Sequence, residues 1–219
     1  IHSKTGRNFG IDKARGEFIY FIDSDDYIDK TMIEKLVNSI KDKDSFVGIL
    51  GFYYDIDGRL KLQKMEEKEH RTLKSPSVCT RMFRKEILDK SGIRFSGLKI
   101  GEDLEFVFKV LAFNNHSTYI DEALYYYRLH EESLTHDNNI DRLCILKAIE
   151  SIEEYLKENK KYEEFKELIE FITISHIYFA VINLKRNEKF DEMKEAIRYL
   201  LDKYPNWENN SNLIYFKDQ

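Results

Sequence analysis

The segment GRNFGIDKARGEFIYFIDSDDYID, residues 6–29, constrains this chain more than any other stretch. Gly6 to Ala14 has helical spacing with Phe9 and Ile11 facing inward, and Gly16 breaks it. From Glu17 to Asp23 the chain is aromatic and β-branched, the pattern of a buried strand. That strand is apolar on both faces, as in a parallel sheet. It ends in Asp23-Ser24-Asp25-Asp26, three carboxylates within four residues. Such a cluster needs a cation, or a solvated turn that holds the charges apart. Ligands of open α/β sheets sit at the carboxyl ends of the strands, where this cluster falls. Mg²⁺ is commonly held there by one or two carboxylates and substrate phosphates. The plain alternative is a solvated turn capping the next helix. An EF-hand is excluded, because Tyr27 and Ile28 stand where an oxygen ligand and the turn glycine belong.

Downstream, Asp29 opens a helix with Met32, Ile33, Leu36, Val37 and Ile40 on one face and a Thr31–Glu34 capping box. Phe46 to Tyr54 is a strand. Asp57-Gly58 predicts a hairpin that returns antiparallel over Lys61 to Lys64. Glu66 to Arg71 is a charged loop. Val78 to Ser91 reads as helix with Gly92 as its C-terminal cap. Asp103 to Asn114 is helical with Leu104, Val107, Phe108 and Leu111 buried, and Ser117 to Arg128 is a strand. Beyond residue 137 only helical periodicity remains, over Asp141–Lys157, Glu163–Lys185 and Asp191–Tyr204. The predicted organisation is therefore an α/β domain, residues 1–137, followed by an all-helical extension, residues 138–219. NLKRNEKFDEMKEAIRYLLDKYP resembles one helical pair of a tetratricopeptide repeat, a unit that needs stacking partners.

The balance of residues narrows the function classes. Of 219 residues 42% are hydrophobic and only 2 are proline, which suits a packed core and long helices. A net charge of -5 gives no basic face for nucleic acid, so none is expected as a partner. Arg81, Arg84 and Lys85 remain a local option for a phosphorylated ligand. Two cysteines without a CxxC pattern fit a reducing, cytoplasmic setting. IHSKTGRNFG has no apolar region of a signal peptide. Phe171 to Leu184 is too short to span a bilayer and carries Ser175, His176 and Asn183, so it is expected in a core. Peripheral membrane contact stays open.

Three further constellations carry chemistry. Gly101-Glu102-Asp103 opens a helix, whose N-terminus stabilises an ionised Asp103 in a position to act as a base; the alternative is a helix cap. Arg7 and Asn8 follow Gly6 at a helix start, where an arginine suits a diphosphate; the alternative is a surface arginine. His130 follows the last strand, within YYYRLHEES, and could ligate a metal through neutral imidazole, although a lone histidine is more often no ligand.

In their order these motifs resemble family 2 glycosyltransferases of the GT-A fold. GRNFGIDKARGEFIYFIDSDDYID matches the central signature of that family, which leads into its DXD motif. SPSVCTRMFRKEIL, GEDLEF and YYYRLHEES match later landmarks of bacterial members that build capsule or lipopolysaccharide. The resemblance covers residues 5–136. It implies a Rossmann-like, GT-A-type mixed sheet and an inverting, metal-dependent sugar transfer. The donor is a nucleotide-diphosphate sugar, and the acceptor is a hydroxyl of a glycan or lipid-linked acceptor. It implies that Asp23 contacts the nucleoside, that Asp25 holds Mg²⁺ or Mn²⁺ on the diphosphate, and that Arg7 reaches the diphosphate with Asn8 in the donor site. Asp103 is then the base, Glu102 shapes the acceptor site and His130 is a late metal ligand. The work is expected in the cytoplasm, at the inner face of the cell membrane. Members also begin with a strand-helix-strand unit that is missing before Gly6. About 60 to 80 residues are expected to supply it, in cis or as a separate chain. The rival readings are a non-catalytic remnant of the fold, an interaction module built on the helical extension, and a nucleotidyltransferase, which would carry a Gly-rich phosphate loop not found here.

Overall fold

The computed structural model describes residues 3–65, 76–129 and 144–216. The charged loop at Glu66–Arg71, the start of the helix at Asp141, and His130 lie outside them. The chain divides into two compact units, Ile1–Gly97 with Glu102–Asp137 and Leu98–Gly101 with Asn138–Gln219.

The first unit is α/β. Its strands are β1 (Phe18–Tyr20), β2 (Tyr27–Ile28), β3 (Phe46–Ile56), β4 (Arg59–Lys64), β5 (Arg81–Arg84) and β6 (Ser117–Arg128). Their order is β1-β5-β3-β6-β2, with β4 also paired to β3. The helices are α1 (Ser3–Lys13), α2 (Met32–Ser39), α3 (Lys85–Ser91) and α4 (Glu102–Phe113). β3 and β6 run parallel at the centre, and all other pairs are antiparallel. The β3–β4 hairpin forms at Asp57-Gly58, whose φ angles of 51° and 82° are what a two-residue turn of this hand requires. Behind the sheet lies an aromatic core: Phe95 stacks on Phe106 at 4.0 Å, and Phe21 and Phe83 meet Phe106 edge-on. Leu104, Val107, Phe108 and Leu111 of α4 are buried, as its spacing predicts.

Several expectations are corrected. The strand expected from Glu17 to Asp23 is only Phe18–Tyr20. It lies at the edge of the described sheet, antiparallel to β5, rather than inside a parallel one. Phe21 leaves the strand to enter the aromatic core, and Ile22 is 49% exposed. Phe9 is exposed while Ile11 is buried. The Thr31–Glu34 box does not form. Instead the Asp29 carboxylate accepts from the Thr31 N–H at 2.8 Å and its hydroxyl at 2.6 Å. Only Met32 and Leu36 of α2 are buried; Ile33 and Val37 face outward. Val78–Ser91 is not one helix. A 3-10 turn, Val78–Thr80, leads into β5, and α3 starts only at Lys85. Arg81 to Phe83 are buried, and Met82 and Phe83 pair with β1 and β3 at once, a tertiary gain that outweighs their helical spacing. The left-handed Gly92 does cap α3.

The second unit is helical: α5 (Ile145–Glu158), α6 (Tyr162–Arg186) and α7 (Phe190–Lys203). α6 has 25 residues, longer than its apolar run. It is long and apolar enough to cross a membrane, and half of its most apolar window is buried within the chain. Phe171, Ile172, Ile174 and Ile177 form the buried side, but Tyr178 and Phe179 are both 56% exposed.

Candidate active site

Four elements meet at the carboxyl end of β1: α1, the acidic turn, the 3-10 turn and the start of α4. The acidic turn closes through an Asp26 N–H to Asp23 carbonyl bond of 3.2 Å. α4 starts after Gly101, whose φ of 83° reverses the chain so that Glu102 and Asp103 open the helix.

Arg7 joins these parts. Its Nη1 donates to Asp103 Oδ1 at 2.8 Å and lies 3.4 Å from Glu102 Oε2, while Nη2 donates to Asp23 Oδ1 at 3.2 Å. The guanidinium stands 5.2 Å from the Phe95 ring centroid, a cation–π contact that backs it with the aromatic core. Burial works against its charge, but Asp103 and Asp23 outweigh that and hold Arg7 above its ordinary pKa. The helix α1 is what aims Arg7. Next along it, Asn8 exchanges two hydrogen bonds with the Phe95 backbone, Nδ2 to the carbonyl at 2.9 Å and Oδ1 from the N–H at 2.8 Å. Both polar ends of Asn8 are thus engaged in clamping α1 to the segment ahead of α4.

Asp103 is also bound by the Val78 N–H, at 3.0 Å to Oδ2. Burial raises its pKa, and Arg7 and the Val78 N–H pull the other way, with a net upward shift. A carboxyl held partly buried, hydrogen-bonded and above its usual range is suited to accept a proton near neutral pH. Glu102 is buried and accepts from the Gly97 N–H at 2.8 Å, which fixes it beside Arg7.

Asp25 is exposed at the tip of the turn. Asp26 points the other way: Tyr125 donates to its Oδ2 and the Arg128 N–H donates to Oδ1 at 2.8 Å. Burial raises the Asp26 pKa against those two bonds, and Asp25 and Asp23 raise it further by repulsion. No group of three or more His, Cys, Asp or Glu side chains able to hold a metal by themselves occurs among the described residues.

Residues that sequence reasoning missed are Val78, Phe95, Asp26 and Tyr125. SPSVCTRMFRKEIL has helical spacing, which masks the 3-10 turn that offers its backbone to Asp103.

Residues 4–98 match the model of Glycosyl transferase family 2. The chain is 27% identical over 195 residues to a putative glycosyltransferase, EpsH, of Bacillus subtilis, covering 81% of this chain and 56% of that protein. It is 30% identical over 134 residues to the poly(ribitol-phosphate) beta-N-acetylglucosaminyltransferase TarS of Staphylococcus aureus, covering 58% of this chain and 23% of the enzyme. The chain spans about half the length of the curated relatives EpsH and EpsJ, 56% and 46%. The crystal structure of S. aureus TarS 1–349 in complex with UDP-GlcNAc superposes with a TM-score of 0.70 at 21% identity. It covers 89% of this chain and 59% of that one. The fold is accordingly of the GT-A type, as expected from the motifs.

Proposed function

We propose that the α/β unit is the catalytic part of an inverting, metal-dependent glycosyltransferase acting on a nucleotide-diphosphate sugar. The observation that carries this is the Arg7 bridge, which holds the acidic turn at Asp23 and the prospective base Asp103 on one guanidinium. The acceptor is a hydroxyl of a glycan or lipid-linked glycan, a class supported by the cell-wall polymer enzymes among the relatives. The work is done on the cytoplasmic side, at the membrane if the acceptor is lipid-linked.

Asp103 takes the proton of the acceptor hydroxyl. The oxygen attacks the anomeric carbon from the side opposite the diphosphate, the bond to the diphosphate oxygen breaks, and the anomeric configuration inverts. Arg7 keeps Asp103 ionised before attack, and Glu102, fixed by Gly97, shapes the acceptor side. Asp23 is half exposed and would contact the nucleoside. Asp25 would hold Mg²⁺ or Mn²⁺, with His130 as a further ligand implied by the family. An exposed carboxylate such as Asp25 suits a hard cation shared with substrate phosphates. Such a cation, when bound, neutralises charge growing on the leaving diphosphate.

The test is incubation with a panel of nucleotide sugars and candidate acceptors. Nucleoside diphosphate release is followed enzymatically and the new anomeric centre by NMR. The proposal expects acceptor-stimulated release and a product of inverted configuration. A product of retained configuration, or no release with any donor, contradicts it.

A further inference from the structure

The third carboxylate of the acidic turn has no part in the assignment above. Asp26 takes a donor on each oxygen, from the Tyr125 hydroxyl and from the Arg128 N–H, both at the far end of β6. The residues after it join the same strand: Tyr27 and Ile28 pair with Tyr126 and Tyr125, and the Asp29 N–H bonds the Leu124 carbonyl at 2.8 Å. At its other end the turn is held by Arg7 through Asp23. Only Ser24 and Asp25, between the two anchors, are exposed.

Tyr125 itself is 2% exposed.

We infer that Asp26 and Tyr125 are positioning residues that fix the acidic turn to β6 and so set where Asp25 stands relative to Asp103. This rests on the reading of Asp25 as the carboxylate that binds a divalent cation on a nucleoside diphosphate. Three neighbouring carboxylates repel one another. With its oxygens committed to Tyr125 and Arg128, Asp26 is turned away from the tip and does not compete for the cation. The tyrosine matters for its hydroxyl, since phenylalanine fills nearly the same volume.

The test uses Mn²⁺ and UDP as the probe, on the whole chain, at a temperature where each variant is fully folded by circular dichroism. Wild type, Tyr125→Phe, Asp26→Asn and the double variant are titrated calorimetrically. Each single change is expected to weaken Mn²⁺–UDP binding by about tenfold, the scale of one hydrogen bond to a charged group. The double variant is expected to be no weaker than the worse single one, because both remove one contact. In the same proteins without ligand, amide exchange over residues 24–28 is expected to quicken while β3 is unchanged. Asp25→Asn is expected to lose affinity with no change in exchange, which separates ligand from support. Binding by Tyr125→Phe equal to wild type, or single losses that add fully in the double variant, would overturn the inference. If wild type itself fails to bind Mn²⁺–UDP, the metal reading falls. Exchange still decides the positioning role, which unchanged rates at residues 24–28 in Tyr125→Phe overturn.

Discussion

Arg7 Nη1 stands 2.8 Å from Asp103 Oδ1 across 96 positions of sequence, and the same guanidinium reaches Asp23 at 3.2 Å. One cation thus balances carboxylates from two separate motifs in a partly buried site, where unpaired charge is costly. The acidic turn and the start of α4 are held together before any donor arrives, which is the preorganisation that transfer chemistry needs.

Arg7→Met removes this cation. Burial already holds the Asp103 carboxyl above its ordinary range, and Arg7 is a principal force pulling it down. Without Arg7 the folded-state pKa climbs further. A base works only when deprotonated, so the acidic limb of kcat/KM against pH moves to higher pH. Stability follows the same sign. A carboxyl whose pKa is raised on folding contributes stability in acid, lost as pH rises from its unfolded value through its folded one. The Tm deficit of Arg7→Met is therefore larger at neutral pH than in acid. An unmoved acidic limb would show that Asp103 is not the base.

Asp103→Asn removes the proton acceptor and little volume. Transfer is expected to fall by roughly 10² or more, with donor affinity nearly intact. Turnover at the wild-type rate would exclude Asp103, and an equal loss of donor affinity would make its role structural.

Asn8→Ala breaks the clamp on Phe95. A loss of about 1–3 kcal/mol is expected from the orphaned backbone groups, measured by urea unfolding. Nucleotide affinity of the folded protein is expected to stay near wild type. Lost affinity at unchanged stability would place Asn8 in the donor site.

In the helical unit, Tyr178→Asp is expected to change stability by no more than about 0.5 kcal/mol, because the side chain is 56% exposed. Phe171→Ala, at 1% exposure, is expected to cost about 3–5 kcal/mol. The comparison is made by thermal unfolding. Vesicle binding that Tyr178→Asp abolishes would identify this exposed side as a membrane surface.

Much of this was legible in the sequence wherever local signals and tertiary demands agree. The β3–β4 hairpin follows from Asp57-Gly58, and the buried face of α4 follows from the spacing of Leu104, Val107, Phe108 and Leu111. Where packing overrides pattern, the sequence misleads. Arg81 to Phe83 have helical spacing but form a strand because β1 and β3 both need a partner there. Arg7, Asp23, Glu102 and Asp103 are visible as motifs, yet their pairing is not. Arg7 was assigned to a phosphate, and nothing local announces that its partner is Asp103. Asp26 was visible only as a third charge, because its partner Tyr125 lies 99 positions away.

A donor site built on the acidic turn binds nucleoside diphosphate through a cation, and calorimetric titration of UDP is the measurement that decides it. The titration is run with Mn²⁺ and with EDTA, on wild type and on Asp25→Asn. The account predicts binding by wild type that depends on Mn²⁺, and a loss of about tenfold or more in Asp25→Asn with the fold intact. Equal affinities in all four titrations would contradict it.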